Sequence, residues 1–185
     1  MIEIVPYNPQ WPEWFHALGQ SIRGVLQGDA LAIHHIGSTS VPGLAAKDII
    51  DIQVTVAELD ETIVPLLEGI GFTYLAHINQ DHRPPGRDDI PEEELTKMVF
   101  SMQGTPRCNL HVRVLGYFNQ RYPLLCRDYL RQHPYTASAY AQTASTSSAS
   151  SARSCSPRSF CPTRTPYCAP ITPATIRMKA STIST

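Results

Sequence analysis

HHIGSTSVPGLAAKDIIDIQVTV, residues 34–56, holds two predicted strands and the turn that joins them. Residues 31–36 form a short apolar run that stops at Gly37 and reads as a strand. Residues 49–56 alternate strictly, with Ile50, Ile52, Val54 and Val56 against Asp51, Gln53 and Thr55. A period of two predicts a half-buried strand with one apolar and one polar side. Residues 37–43 (GSTSVPG) are dense in turn-forming residues and read as the loop between them.

Working outward, residues 1–5 alternate apolar and polar like a short strand. Trp11, Trp14, Phe15, Leu18, Ile22 and Leu26 follow helical spacing and predict a helix that ends at Gly28. On the other side, 59–70 reads as a helix stopped by Gly69 and Gly71, and 72–77 as a strand. Residues 79–96 (NQDHRPPGRDDIPEEELT) are polar and proline-rich and read as a long surface loop. Residues 98–102 and 109–115 predict a hairpin. A helix with Pro123 in its first turn then runs to about Gln132, and Pro134 opens a last helix containing Tyr140. This order predicts an α+β domain with a single mixed β-sheet and helices.

The chain has 185 residues, 15 basic and 16 acidic, for a formal charge of −1, and is 42% hydrophobic. That length suits about one domain at a soft prior of ~150 residues each. The charge balance argues against a nucleic-acid binder that works through basic charge, and the hydrophobic content against a chain disordered throughout. The composition breaks near residue 142. Residues 1–141 hold every acid and carry −6, whereas 142–185 carry +5 and hold 18 Ser or Thr, 5 Pro, 3 of the 5 Cys and no Gly. We therefore expect a folded domain over 1–141 and an aberrant tail over 142–185. The tail reads either as a disordered Ser/Thr-rich segment or as the product of a reading-frame shift near codon 142. The joint loss of acids and glycines with a gain of cysteines favours the shift. The N-terminus lacks the basic start and apolar stretch of a signal peptide, and no run is long enough to span a membrane. A cytoplasmic location follows as the expectation. Cysteine spacing predicts neither a disulfide framework nor a zinc site.

The candidate chemistry lies in the same stretch. Gly37 permits close backbone approach to a ligand, while Ser38, Thr39 and Ser40 offer hydroxyls and successive N–H groups that can cradle phosphate. Lys47 adds charge. Asp51 lies on the polar side of the following strand, where a carboxylate can hold Mg²⁺ bridging to phosphates. The alternative is a hydroxyl-rich turn closed by its own side chains, with Asp51 solvated. No Gly-Lys-Ser/Thr follows, which excludes a Walker A loop. His111 is expected beside Asp51, as a metal ligand or proton acceptor, or as a hydrogen-bonded strand histidine. His34 and His35 are adjacent on a strand and must point to opposite faces. Asp48 faces away from Asp51 and reads as a residue that opens the strand. Arg127 and Arg131 share a helix face and can grip a phosphate or carboxylate, unless Asp128 pairs with them or the face is solvated. Arg83 and Arg87 lie on the long loop, either closing over an anion or solvated. Serine-nucleophile chemistry lacks its Gly-x-Ser-x-Gly elbow.

IGSTSVPGLAAKDIIDI resembles the signature of the GrpB family, which adopts a nucleotidyltransferase-like fold. EIVPYNPQWPEWF is similar to the family's opening segment, and NLHVRV followed by LLCRDYLRQHPYTASAY to its late strand, helix and closing Tyr. The resemblance covers 1–141; the Leu-Lys pair and Tyr-Lys-Phe element that follow in the family are missing here. It implies a nucleotide or other phosphate-bearing small molecule as partner and Mg²⁺ as cofactor. It places Gly37 and Ser38 at the phosphates, Asp51 at the metal and Arg127 with Arg131 at an anion. In the wider superfamily two carboxylates alternate on one strand and a third lies on a later strand. Here Gln53 stands at the second position and His111 on the later strand, so Asp51, Gln53 and His111 form the implied metal set. Three readings remain open: nucleotidyl or phosphoryl transfer to an unnamed acceptor, a non-catalytic module that senses a nucleotide or docks a partner, and an inactive frame-shifted copy. Relatives of this domain also occur fused to dephospho-coenzyme A kinase.

Overall fold

The computed structural model describes residues 3–150, with side chains through Gln142. Both readings of the tail concern a segment of which 151–185 lie outside the described residues. The elements in chain order are α1 (Trp11–Leu26), β1 (Ala32–Ile36), β2 (Ile50–Val56), α2 (Ile63–Glu68), β3 (Thr73–Tyr74), β4 (Met98–Met102), β5 (Cys108–Val114), α3 (Phe118–Gln132) and α4 (Pro134–Ser150). The five strands form one mixed sheet in the order β1-β2-β5-β4-β3. β2 and β5 run parallel at its centre, and the other pairs are antiparallel. This is the α+β class expected.

One face of the sheet carries the apolar core. Ile50, Ile52, Val54 and Val56 of β2, Leu110 and Val112 of β5 and Phe100 of β4 are all buried against Trp11, Ile22 and Leu26 of α1 and Ile63 and Leu67 of α2. The α1 stripe falls where its apolar spacing puts it, with Pro12 in the first turn. Trp11 is fully buried, and its indole N–H donates to Asp48 Oδ1 at 2.7 Å. That bond gives Asp48 a structural role at the start of β2.

The other face departs from expectation. Gln53 and Thr55 are buried, not half-exposed, because α3 packs across this side. The parallel register sets Asp51 beside Asn109, Gln53 beside His111 and Thr55 beside Arg113. A polar layer therefore lies between sheet and helix, where each group needs a partner to offset its desolvation.

Several elements are shorter than their patterns suggested. The strand expected over 1–5 reduces, in the described residues, to a single bridge from Val5 to Ala46. The helix expected over 59–70 begins only at Ile63, because Asp60 turns the chain by accepting from the Thr62 N–H at 2.8 Å. β3 keeps two residues. Pro123 lies inside α3 rather than in its first turn. Residues 79–96 are not wholly superficial: Ile90 and Leu95 are buried, and Glu94 Oε2 accepts the Phe118 N–H at 2.9 Å, capping α3. α4 continues to Ser150, past the expected domain boundary at 141.

Candidate functional site

The turn after β1 meets the start of β2 in a notch. Gly37 adopts φ +70°, a region that favours glycine, and a Cβ there would collide with Asp51 Oδ2 and lie 3.0 Å from Asp51 Cβ. The glycine thus lets the turn press against the carboxylate. Asn109 Nδ2 donates to Asp51 Oδ1 at 3.1 Å. Asp51 keeps part of its surface open, yet its carboxyl is desolvated. Burial raises its pKa to about 6, against the opposing pull of Asn109, Lys47 and Arg113. A cavity of about 370 Å³ opens here, lined by Gly37, Ser38, Thr39, Lys47, Asp51 and Asn109, among others. A second lobe of about 260 Å³ shares Gly37, Ser38, Asp51 and Tyr140 and adds His111 and Arg127.

The hydroxyls divide into two groups. Thr39 Oγ1 donates to the Ile49 carbonyl at 3.2 Å and meets His35 Nε2 at 3.0 Å, while Ser40 Oγ donates to the Gly37 carbonyl at 2.5 Å. Those two close the turn on itself, as the alternative sequence reading had it. Ser38 remains on the cavity wall. His35 is buried on the core side, stacked on Phe15 at 4.8 Å. Burial, with Arg131 and Arg127 nearby, lowers its pKa to about 4. Since Thr39 gives its proton to Ile49, a neutral His35 donates from Nε2 to Thr39.

The two α3 arginines grip the protein itself. Arg127 Nη1 donates to the His35 carbonyl at 3.1 Å and its Nε to Asp128 at 2.7 Å. Arg131 sends Nε and Nη2 to the Ser40 carbonyl at 3.0 and 2.7 Å. They bolt α3 to the strand and turn that form the notch. Arg127 also lines the second lobe, but Arg131 does not.

The implied metal set is not assembled. Gln53 is fully buried: its Nε2 donates to the Gln120 carbonyl at 2.8 Å, and its Oε1 accepts from Arg113 Nη1 at 2.9 Å. His111 stands beside Gln53 rather than Asp51, and Asn109 takes the place expected for it. Asp51 and His111 share only the wall of the second lobe. Burial, reinforced by Arg113 and Lys97, lowers the His111 pKa to about 3, so its ring is neutral near pH 7 and a weak base. Its Nδ1 is buried without a hydrogen bond. Among the described residues no three His, Cys, Asp or Glu side chains cluster to hold a metal ion. Sequence reasoning did not include Asn109 or Tyr140 among the site residues. The alternation Asn109, His111, Arg113 carried a signal for the first; the second depends on how α4 folds back.

A family model described as GrpB protein matches residues 1–172. The UPF0157 protein PA4798 of Pseudomonas aeruginosa is 35% identical over 148 residues, covering 77% of this chain and 55% of that protein. A dephospho-CoA kinase of Mycobacterium tuberculosis is 36% identical over 146 residues, covering 71% of this chain and 36% of that protein. The chain therefore spans about half of the first relative and about a third of the second. The crystal structure of conserved protein GrpB from Enterococcus faecalis superposes with a TM-score of 0.64 at 27% identity, covering 80% of this chain and 84% of that one. Among the described residues no helix is long and apolar enough to cross a membrane.

Proposed function

The chain belongs to the GrpB family, and from that premise we propose that it binds a nucleotide or a related phosphate compound, together with Mg²⁺, at the Gly37–Asp51 notch. The observation that carries the reading is the close packing of Gly37 on Asp51, which sets a desolvated carboxylate beside Ser38 and Lys47 on one cavity wall. Ser38 and the backbone of the turn hold phosphate oxygens, and Lys47 supplies charge. Asp51 holds the ion, and Asn109 orients the carboxylate. Such a donor set fits an ion carried in by its phosphate ligand, because Mg²⁺ is commonly held by one or two carboxylates plus substrate oxygens. It does not fit a metal cage built by protein alone, nor a two-carboxylate arrangement. When bound, Mg²⁺ would neutralise phosphate charge.

Among the described residues Asp51 is the one carboxylate lining that wall, and Gln53 is committed to Gln120 and Arg113, which together favour binding over nucleotidyl transfer. A nucleotide-sensing module on the nucleotidyltransferase-like fold is therefore the preferred form of the proposal. Arg127 and Arg131 act by holding the turn in place. The test is the thermal stability of the full chain with ATP and with pyrophosphate, each with and without Mg²⁺, in wild type and Asp51→Asn. A ligand at about 100 times its Kd raises stability by roughly 2.7 kcal/mol. We expect a Mg²⁺-dependent rise that Asp51→Asn removes. The absence of any such rise in a cooperatively folded sample sinks the proposal. Turnover of labelled triphosphate that Asp51→Asn abolishes would replace the sensing form with transfer.

A further inference from the structure

At the Arg113 end of the polar layer, residues 79–96 and the start of α3 enclose a larger cavity of about 440 Å³. Its walls are mostly apolar, with Pro84, Pro85, Leu95 and Phe118, and its charged groups are Arg83, Arg113 and the carboxylate of Asp81, with His82 beside them. Tyr122 and Pro123 of α3 separate it from the lobe beside His111, since they line both.

The directly bonded charges at this wall, two cations to one carboxylate, do not balance. Lys97 and Arg113 are 8% and 4% exposed, and both bind Asp81, the one acid bonded to either among the described residues, while Asp51 acts on Arg113 only through its charge. Burial pushes the Asp81 carboxyl up, but Arg113 and Lys97 together hold it below the usual carboxylate range. Arg113 gives Nε and Nη2 to Asp81 Oδ2 at 3.1 and 3.0 Å, and Nη1 to Gln53 Oε1 at 2.9 Å. A guanidinium has five N–H groups, so two of them have no acceptor among the described residues. A buried cation without full compensation is costly, and an anion brought to it relieves that cost. Arg83 lines the same cavity and forms an ion pair with the exposed Glu92 at 3.9 Å, with Asp89 acting on it only through its charge. A pair so long and so exposed contributes little and yields readily to a better anion. Phe118 forms a firm aromatic wall, with Arg87 5.5 Å from its centroid and Tyr122 stacked at 5.9 Å.

We propose that this cavity is a second binding site, separate from the Gly37–Asp51 notch, for a small organic carboxylate with an apolar or aromatic body. Arg83 and the two unbonded N–H groups of Arg113 take the carboxylate, and the body lies against Phe118, Leu95, Pro84 and Pro85. Asp81 does not repel the ligand strongly, because its charge is already shared by two cations. The inference does not depend on the nucleotide reading.

The test uses the full chain with 4-fluorobenzoate as probe and 4-fluorobenzamide as its uncharged counterpart, both followed by fluorine NMR. We expect saturable binding of the carboxylate, roughly tenfold tighter than that of the amide, the size of a lost charged hydrogen bond. Arg83→Ala should weaken it by about fivefold, and Arg83→Glu should abolish it. Intermolecular Overhauser contacts should reach the Phe118 ring. Arg83 is partly exposed and its one ion pair is long, so both variants should unfold near the wild-type temperature. Equal binding of acid and amide overturns the proposal. So does carboxylate binding that survives Arg83→Glu, or no saturable binding up to about 10 mM.

Discussion

Replacing Asp51 with Asn should stabilise the ligand-free protein near neutral pH. Desolvation in the notch raises the Asp51 pKa from 3.8 to about 6. The folded state then holds this proton more tightly than the unfolded chain does. Between those two values it binds more protons, so stability falls as pH rises through the window. At about 1.36 kcal/mol per pH unit, the gap amounts to roughly 3 kcal/mol of stability lost above pH 6. Asn keeps the shape and can still accept from Asn109, but carries no charge. The difference between variant and wild type should be near zero at pH 3.5 and grow to roughly 3 kcal/mol in favour of Asn at pH 7.5. Urea denaturation followed by the fluorescence of Trp11 and Trp14, in chelator, measures it. The two proteins must be compared at each pH, because His35 and His111 act in the opposite direction. Their folded pKa values lie near 4 and 3, below the ordinary 6.5, so both proteins lose stability as pH falls through that range. A wild type more stable than the variant at pH 7.5, by a margin that widens with pH, would refute the desolvation argument.

Gly37→Ala should cost at least about 2 kcal/mol, from left-handed strain and collision with Asp51, and should abolish any ligand-induced stabilisation. Gly43→Ala, at φ +76° but in open space, should cost only about 1 kcal/mol, so equal losses in the two melts would contradict the packing argument. Arg131→Ala removes both bonds to the Ser40 carbonyl and should lower stability by about 1.5–3 kcal/mol, with faster hydrogen exchange at Val41. Gln53→Leu strands Arg113 Nη1 and the Gln120 carbonyl and should cost roughly 3 kcal/mol in urea denaturation. For the tail, translation of the coding DNA in the other two frames should reveal a helix-patterned continuation after codon 142; none in either frame counts against the shift.

Strand alternation and the α1 stripe were legible because each face meets a single environment over many residues. Asp51 and Gly37 were legible for a related reason: a glycine turn before a strand with a polar side leaves few places for a carboxylate. Periodicity, however, reports only whether a face is apolar, not whether something covers it. Residues 51, 53 and 55 therefore read as an outward face, although Gln53 and Thr55 are buried on the side that α3 covers. Sequence likewise cannot set the register between β2 and β5, which puts Asn109 rather than His111 beside Asp51. The arginines on α3 have the spacing of an anion clamp, but backbone carbonyls of the turn lie within reach and take the bonds. Ranges ended early where a side chain such as Asp60 outcompeted the helix for a backbone N–H.

The parallel pairing of β2 with β5 also governs when the notch comes into existence. Asp51 and Asn109 lie 58 positions apart, and the arginine clamps on Ser40 and His35 span 91 and 92. Closing such long loops carries an entropic cost before any contact offsets it, which slows formation of parallel strands. On a ribosome the Gly37 turn emerges early but stays unbraced until β5 and then α3 have followed. The α1–β1–β2 segment can pair with its polar face still wet, but the notch needs Asn109 of β5 and the arginines of α3 before it is complete. Ligand affinity would thus report completion of the fold, and a chain stalled before α3 would keep its β1–β2 pair but lack the bolts that hold the turn.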